Sequence, residues 1–222
     1  MATHPWQQQQ HVLTCDLLAS WPHGFFTRSV GNNPTQCARH LGLAEGYGLQ
    51  QIHGAEVLTP DQLPGQGDAL LSTQAGILVC VASADCVPVL VAATGVVAAV
   101  HAGWRGTAQE ILPKVLYRFQ QLGVDLGTVR VAIGPAISEP RYPVGEDVAQ
   151  AVLQTLGQTQ PTTHLDLKTI NCAQALAQGV RPENIAVSPL CTYDEKDLFF
   201  SYRRDGRTGV QLSGIACPYV NI

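Results

Sequence analysis

Charge is scarce in this chain of 222 residues. Asp, Glu, Lys and Arg make up 14% of it, and 17 acidic against 13 basic side chains leave a formal charge of −4. With no basic excess there is no electrostatic footprint for a polyanion, which excludes nucleic acid as a partner. An export signal is also missing: MATHPWQQQQHV opens the chain with neither a positive start nor an apolar core, and this predicts a cytoplasmic protein. No apolar run of membrane length is unbroken. GILVCVASADCVPVLVAATGVVAAV, from Gly76, is as long as a transmembrane helix, but Asp85, Pro88 and Gly95 interrupt it. Its Val-rich pieces suit buried strands, so no membrane association is expected. There is no CxxC pair either. The cysteines (Cys15, Cys37, Cys80, Cys86, Cys172, Cys191 and Cys217) are odd in number and scattered, which excludes a disulfide framework and predicts reduced thiols.

Apolar residues are not scarce, at 45%. A chain of this length buries roughly 70% of its unfolded surface, and this composition excludes disorder. No repeat or linker divides the sequence, so residues 1–222 read as one domain, with 1–20 as a peripheral N-terminal segment. GAEVLTP, GILVCVAS, VPVLVAA, Val96 to His101, TVRVAIGP, IAVSP and DLFFSYRR read as strands, the third and fourth as a hairpin turning at Ala93-Thr94-Gly95. From Thr107 to Leu122 apolar residues recur at helical spacing up to Gly123, and Pro113 inside that run is expected to kink it or sharpen its first turn. Two further helices are expected over 146–156 and 166–177, the second capped by Asp166. Irregular alternation of strands and helices predicts α/β or α+β with a mixed sheet.

Three stretches place a polar, metal-capable side chain against apolar backbone at a strand end: QIHGAEV with His53, SADCVPVL with Asp85 and Cys86, and VVAAVHAGWRG with His101. Two imidazoles and a thiolate form a reasonable zinc set, and three protein ligands leave a position open, as catalytic zinc sites do. The same residues also fit a cysteine nucleophile with a histidine base. Asp85, in a very apolar segment, needs a partner; it is either a proton shuttle, a group that orients a histidine or a ligand, or a cap on the turn between two strands. GWRG stands where a strand gives way to a helix, so Arg105 offers a forked donor for an anion beside Trp104. Arg203 and Arg204 follow Tyr202 in the same style, and a plain edge strand with solvated arginines is the alternative there. IGPAISEPRYPVG, Ile133 to Gly145, reads as a binding rim loop.

Taken together, QIHGAEV, GDALLS, SADCVPVL, AAVHAGWRGT, IGPAISEPRYPVG, DLKTINCAQAL and CTYDEKDLFFSYRRDGRTG resemble the YfiH-like, laccase-domain family, also called the polyphenol oxidase or purine nucleoside phosphorylase family. The resemblance runs from HGFFTR to YRRDGRTG. It implies an α+β fold, a four-layer α/β/β/α sandwich with mixed β-sheets, and a metal site at His53, Cys86 and His101. It also implies phosphorolysis of adenosine, inosine, guanosine and methylthioadenosine, with adenosine deamination. The chain departs from the family after FFTR, where SVGNNPTQCARHLGL lacks the usual glycine pair and is short.

The leading expectation is therefore a zinc enzyme, with copper as the alternative metal, acting on a purine nucleoside and phosphate. Asp85, Cys86 and Arg105 are its candidate catalytic residues, and Arg28, Trp104 and Arg203 its substrate-binding ones, with one of Arg28, Arg105 or Arg203 holding phosphate. The competing expectations are a cysteine amidohydrolase acting on a peptidoglycan precursor, with Cys86 as nucleophile and His101 as base, a copper oxidase of phenols, and a non-enzymatic binding module. The oxidase is disfavoured because one His-Cys-His set is too small for a multicopper cluster and Met1 is the only methionine.

Overall fold

The computed structural model describes residues 5–219, so part of the opening segment used above to exclude an export signal lies outside the described residues. In chain order the first elements are β1 (Trp6–Gln9), β2 (Val12–Cys15), β3 (His23–Phe26), α1 (Pro34–His40), β4 (Glu45–Tyr47) and β5 (Val57–Leu58). Then come β6 (Ala69–Ser72), β7 (Ile77–Ser83), β8 (Val87–Ala93), β9 (Val96–Ala102), α2 (Trp104–Ala108) and α3 (Ile111–Gln121). The last are β10 (Arg130–Ile133), α4 (Glu146–Leu153), α5 (Leu167–Ala177), β11 (Ile185–Val187), α6 (Tyr202–Asp205) and β12 (Gln211–Ile215). No described helix is long and apolar enough to cross a membrane.

The strands form two mixed six-stranded sheets, ordered β1-β2-β3-β12-β7-β4 and β11-β10-β8-β9-β6-β5. Side-chain alternation explains why β8 and β9 read as unbroken apolar runs. Val87, Val89 and Val91 face a core shared with α3 and α5, while Leu90 and Ala92 face the other sheet. A second core, with Phe25, Val79, Leu90 and Val97, lies between the sheets, and a third packs α1 on the outer face of the first sheet through Phe26, Cys37 and Leu78. The order of layers is thus α1, sheet, sheet, helices, an α+β sandwich with mixed sheets as expected. Burying each Leu or Val side chain contributes about 1.5–3 kcal/mol, so these three cores carry the fold.

Several local expectations change. The single helix expected over 107–122 is two: α2 starts earlier, at Trp104, and the chain breaks at Glu110, which adopts a left-handed conformation (φ 57°). Pro113 falls in the first turn of α3, where its missing N–H is not needed, so it does not kink the helix. DLFFSYRR is not a strand; Ser201 caps the short α6 by accepting from the Arg204 N–H. HGFF and QLSGI, whose glycines weaken any strand pattern, form β3 and β12, which pair with each other, β12 lying between β3 and β7. The segment expected to be peripheral supplies two strands of the first sheet and buries Leu13, Leu17 and Leu18 in the core between the sheets.

Candidate metal centre

His101, near the end of β9, shares the alternation of Val97 and Ala99, so it points to the side between the sheets. Cys86 follows Asp85 in the tight β7–β8 turn, where Asp85 takes a positive φ of 94°. His53 is exposed on the loop before β5 and is also left-handed, with φ 58°. The ligand atoms of His53, Cys86 and His101 all lie within 4.8 Å of one another, and the two imidazoles meet nearly edge-on with ring centroids 4.9 Å apart. Gly103 makes room for them: a Cβ there would stand 2.9 Å from Cys86 Sγ and 3.6 Å from a His53 ring carbon.

The carboxylate that orients this set is Asp68, fully buried just before β6. His101 Nδ1 donates to Asp68 Oδ1 at 2.8 Å, which leaves Nε2 for the ligand cluster. Asp68 also accepts the backbone N–H groups of Ile52 (3.3 Å), His53 (3.0 Å) and Gly54 (2.6 Å), and its own carbonyl accepts the His101 N–H at 2.7 Å. One side chain thus holds two of the three ligands. Burial opposes charge on Asp68, yet the hydrogen bond from His101 and those from the loop bring its pKa below the ordinary value. Burial would raise the Cys86 thiol, but the charge and hydrogen bonds of His101 and His53 outweigh it and bring it down to about 6. Burial likewise works against His101⁺, while Cys86 and Asp68 hold that imidazole up at about 9.

These donors fit a metal. Two imidazole nitrogens and a ready thiolate converge on one point, and an imidazole braced by a carboxylate is the usual outer support of a metal-bound histidine. Three donors leave a position open for a ligand. Among the described residues this is the one group of His, Cys, Asp and Glu gathered closely enough to hold an ion.

Asp85 is buried and its carboxylate is engaged three times. Thr192 Oγ1 donates to Oδ1 at 2.7 Å, and Ser201 Oγ (3.0 Å) and the Arg203 N–H (2.7 Å) donate to Oδ2. Its carbonyl accepts the Ile137 N–H of the rim loop. The residue beside the thiolate therefore ties together the rim loop, the 192 segment and α6.

The arginines part company. Arg28 donates to the Lys196 carbonyl at 2.7 Å and stacks on Phe200, which makes it a brace for the segment before α6. Arg204 is spent on the carbonyls of Thr192, Tyr193 and Phe199 and on Asp205, so the solvated-arginine alternative does not describe it. Arg105 lies exposed over the half-buried Trp104 ring at 4.2 Å, with no hydrogen-bond partner for its guanidinium among the described residues. Arg203 donates to the Pro143 carbonyl at 3.2 Å and lies over the ring of Tyr142. Burial, then the nearby charge of Cys86, pushes the Tyr142 phenol up to about 12, with Arg203 and Arg105 pulling the other way. Tyr142 therefore lies within electrostatic reach of the thiolate and both arginines.

Asp68, which braces the cluster, and Tyr142, which lies under Arg203, were not singled out in the sequence. Their signals were faint: a lone acid before the apolar run ALL, and one aromatic in a Pro-rich loop.

Comparison with known proteins identifies relatives of this chain. Residues 26–218 match the family model described as multi-copper polyphenol oxidoreductase laccase. Over 91% of this chain and 92% of the relative, the sequence is 39% identical to purine nucleoside phosphorylase slr1573 of Synechocystis. It is 36% identical to adenosine deaminase RL5 of an unknown prokaryote over 67% of this chain and 61% of that protein. The fold superposes on YlmD of Geobacillus stearothermophilus with a TM-score of 0.85 at 30% identity, covering 97% of this chain and all of that one. With a family model over most of its length and relatives that share its two-sheet fold, this chain belongs to the laccase-like YfiH family.

Proposed function

We propose that this chain is a zinc-dependent purine nucleoside phosphorylase that also deaminates adenosine at the same centre. The observation that carries this reading is the convergence of His53, Cys86 and His101, with Arg105, whose guanidinium has no hydrogen-bond partner among the described residues, four positions after His101 in the chain. The names of the relatives, which include both activities, support the same choice. The chemistry that a zinc ion supplies at a three-ligand site is Lewis acidity and the activation of water at neutral pH.

In phosphorolysis a phosphate oxygen attacks ribose C1′ as the bond from C1′ to the purine nitrogen breaks. The electron pair leaves with the base, which takes up a proton, and ribose 1-phosphate is formed. Arg105 and Arg203 hold the phosphate through charged, forked N–H groups. Trp104 walls the pocket and carries Arg105 on its face. In deamination, water adds at purine C6 and ammonia leaves. Asp85 serves as the positioning group for Arg203 rather than as a proton shuttle, because its oxygens are already committed to three donors. Arg28 stays outside the phosphate site, held by Lys196 and Phe200.

A second reading has one observation in its favour: Cys86, His101 and Asp68 stand in the order nucleophile, base, orienting carboxylate. A cysteine amidohydrolase would use them that way. Metal content of protein purified without added metal, with adenosine turnover in the presence and absence of phosphate, separates the two. The phosphorylase reading expects one zinc per chain, adenine released only with phosphate, and loss of both zinc and turnover in Cys86→Ala. Metal-free protein that stays active and is killed by alkylation would overturn it in favour of the thiol enzyme.

A further inference from the structure

Tyr142 has no role in the reading so far. Its backbone is fixed on both sides: the N–H donates to the Glu139 carbonyl at 3.0 Å, and the carbonyl accepts from the Leu165 N–H at 3.3 Å. Its half-buried ring packs against the helix-side core, as Trp104 and Val144 also do, under an Arg203 guanidinium 5.2 Å from the ring centroid. Arg203 is held in turn, its main chain by Asp85 and its side chain by Pro143, the residue after Tyr142. The phenol is thus mounted rigidly between elements that converge on the thiolate. Its hydroxyl, however, has no hydrogen-bond partner among the described residues. A phenol in this position is protonated at neutral pH and offers one O–H to an acceptor. The hydroxyl is not taken up by the protein and is open to solvent, so it is available to a bound ligand. With the Arg203 guanidinium over its ring and the positive charge of Arg105 acting on it, an anionic oxygen is the acceptor that fits.

We propose that the Tyr142 hydroxyl donates a hydrogen bond to the phosphate held by Arg105 and Arg203, so that Tyr142 determines affinity for the anion and not for the nucleoside. This inference rests on the phosphorolytic reading of the site.

Wild-type protein and Tyr142→Phe, both with their metal as purified, are compared by initial rates at varied phosphate and varied adenosine. Calorimetric titration with inorganic phosphate alone accompanies the rates. Phenylalanine keeps the ring and its packing. Loss of one hydrogen bond to a charged group is expected to raise both KM and Kd for phosphate about tenfold or more, with KM for adenosine unchanged. In the wild type, phosphate should also perturb the near-ultraviolet absorption of tyrosine, and Tyr142→Phe should lose that change. Phosphate constants that stay at their wild-type values, or a rise in KM for adenosine instead, overturn the inference while leaving the phosphorylase reading intact. Wild-type protein that releases no base yet binds phosphate more tightly than Tyr142→Phe overturns that reading and supports the phosphate contact. Wild-type protein that binds no phosphate overturns both.

Discussion

Asp68 braces the candidate metal centre without joining its donor set. It fixes His101 through Nδ1 and draws the backbone of residues 52–54 around its other lone pairs, so two ligands depend on one buried carboxylate. Asn at this position would turn an N–H₂ group towards at least one of these donors. Asp68→Asn is therefore expected to weaken metal binding about ten- to hundredfold, as loss of an outer support typically does. Competition against a chelator of known affinity measures this, and an unchanged affinity would show that His101 and the loop hold their places unaided. Gly103 acts at the same scale by keeping the Cys86 sulfur clear of a side chain. The three candidate ligands were singled out in sequence as metal-capable side chains beside apolar backbone, although His53 stands on an exposed loop and not at a strand end. Their carboxylate was not, since Asp68 meets His101 across 33 residues, and Asp85, adjacent to Cys86, was the acid that local reading favoured.

Among the elements, the α2–α3 junction shows why a periodic pattern can hide a break. Helical spacing of apolar residues continues through Glu110, yet that residue is left-handed and divides the run in two. Left-handed backbone costs a non-glycine residue about 1–2 kcal/mol, and part of that returns on replacement by glycine. Glu110→Gly is expected to stabilise the protein by about 0.5–1 kcal/mol, read as a higher urea midpoint at unchanged slope. A lower midpoint would mean that the Glu110 side chain holds the junction. The strands of β8 and β9 were legible for the opposite reason: they are buried on both faces, so their whole length is apolar. β3 and β12 carry glycines at close approaches and showed no pattern, and α6 was hidden because its cap, Ser201, bonds to Asp85 from 116 residues away.

The whole molecule carries a titration of its own. His23, buried in β3, accepts the Cys15 N–H at Nε2 (2.9 Å) and donates from Nδ1 to the Trp21 carbonyl (2.8 Å), a pattern open only to the neutral ring. Burial outweighs the carbonyl and Asp16 and moves its pKa below the ordinary 6.5. The unfolded ring thus gains its proton at higher pH than the folded one, and between the two values the unfolded state binds more protons. Stability is therefore expected to fall as pH drops below 6.5, by at most about 1.4 kcal/mol per pH unit from this group, until the folded pKa is passed. Urea denaturation from pH 7.5 down to 5 tests this, with His23→Gln expected to have a shallower acid slope. Equal slopes would place the acid sensitivity elsewhere.

Short-range periodicity in the sequence determined the mixed α/β or α+β class and the doubly buried strands, polar side chains set against apolar backbone singled out His53, Cys86 and His101, and the layered sandwich followed from the family resemblance. Tertiary structure alone decided which acid braces the ligands, which arginines stay near the thiolate and where Tyr142 stands. Those choices depend on partners up to 168 residues apart, and hydrogen-bond geometry between distant segments leaves no periodic trace in the chain that encodes it.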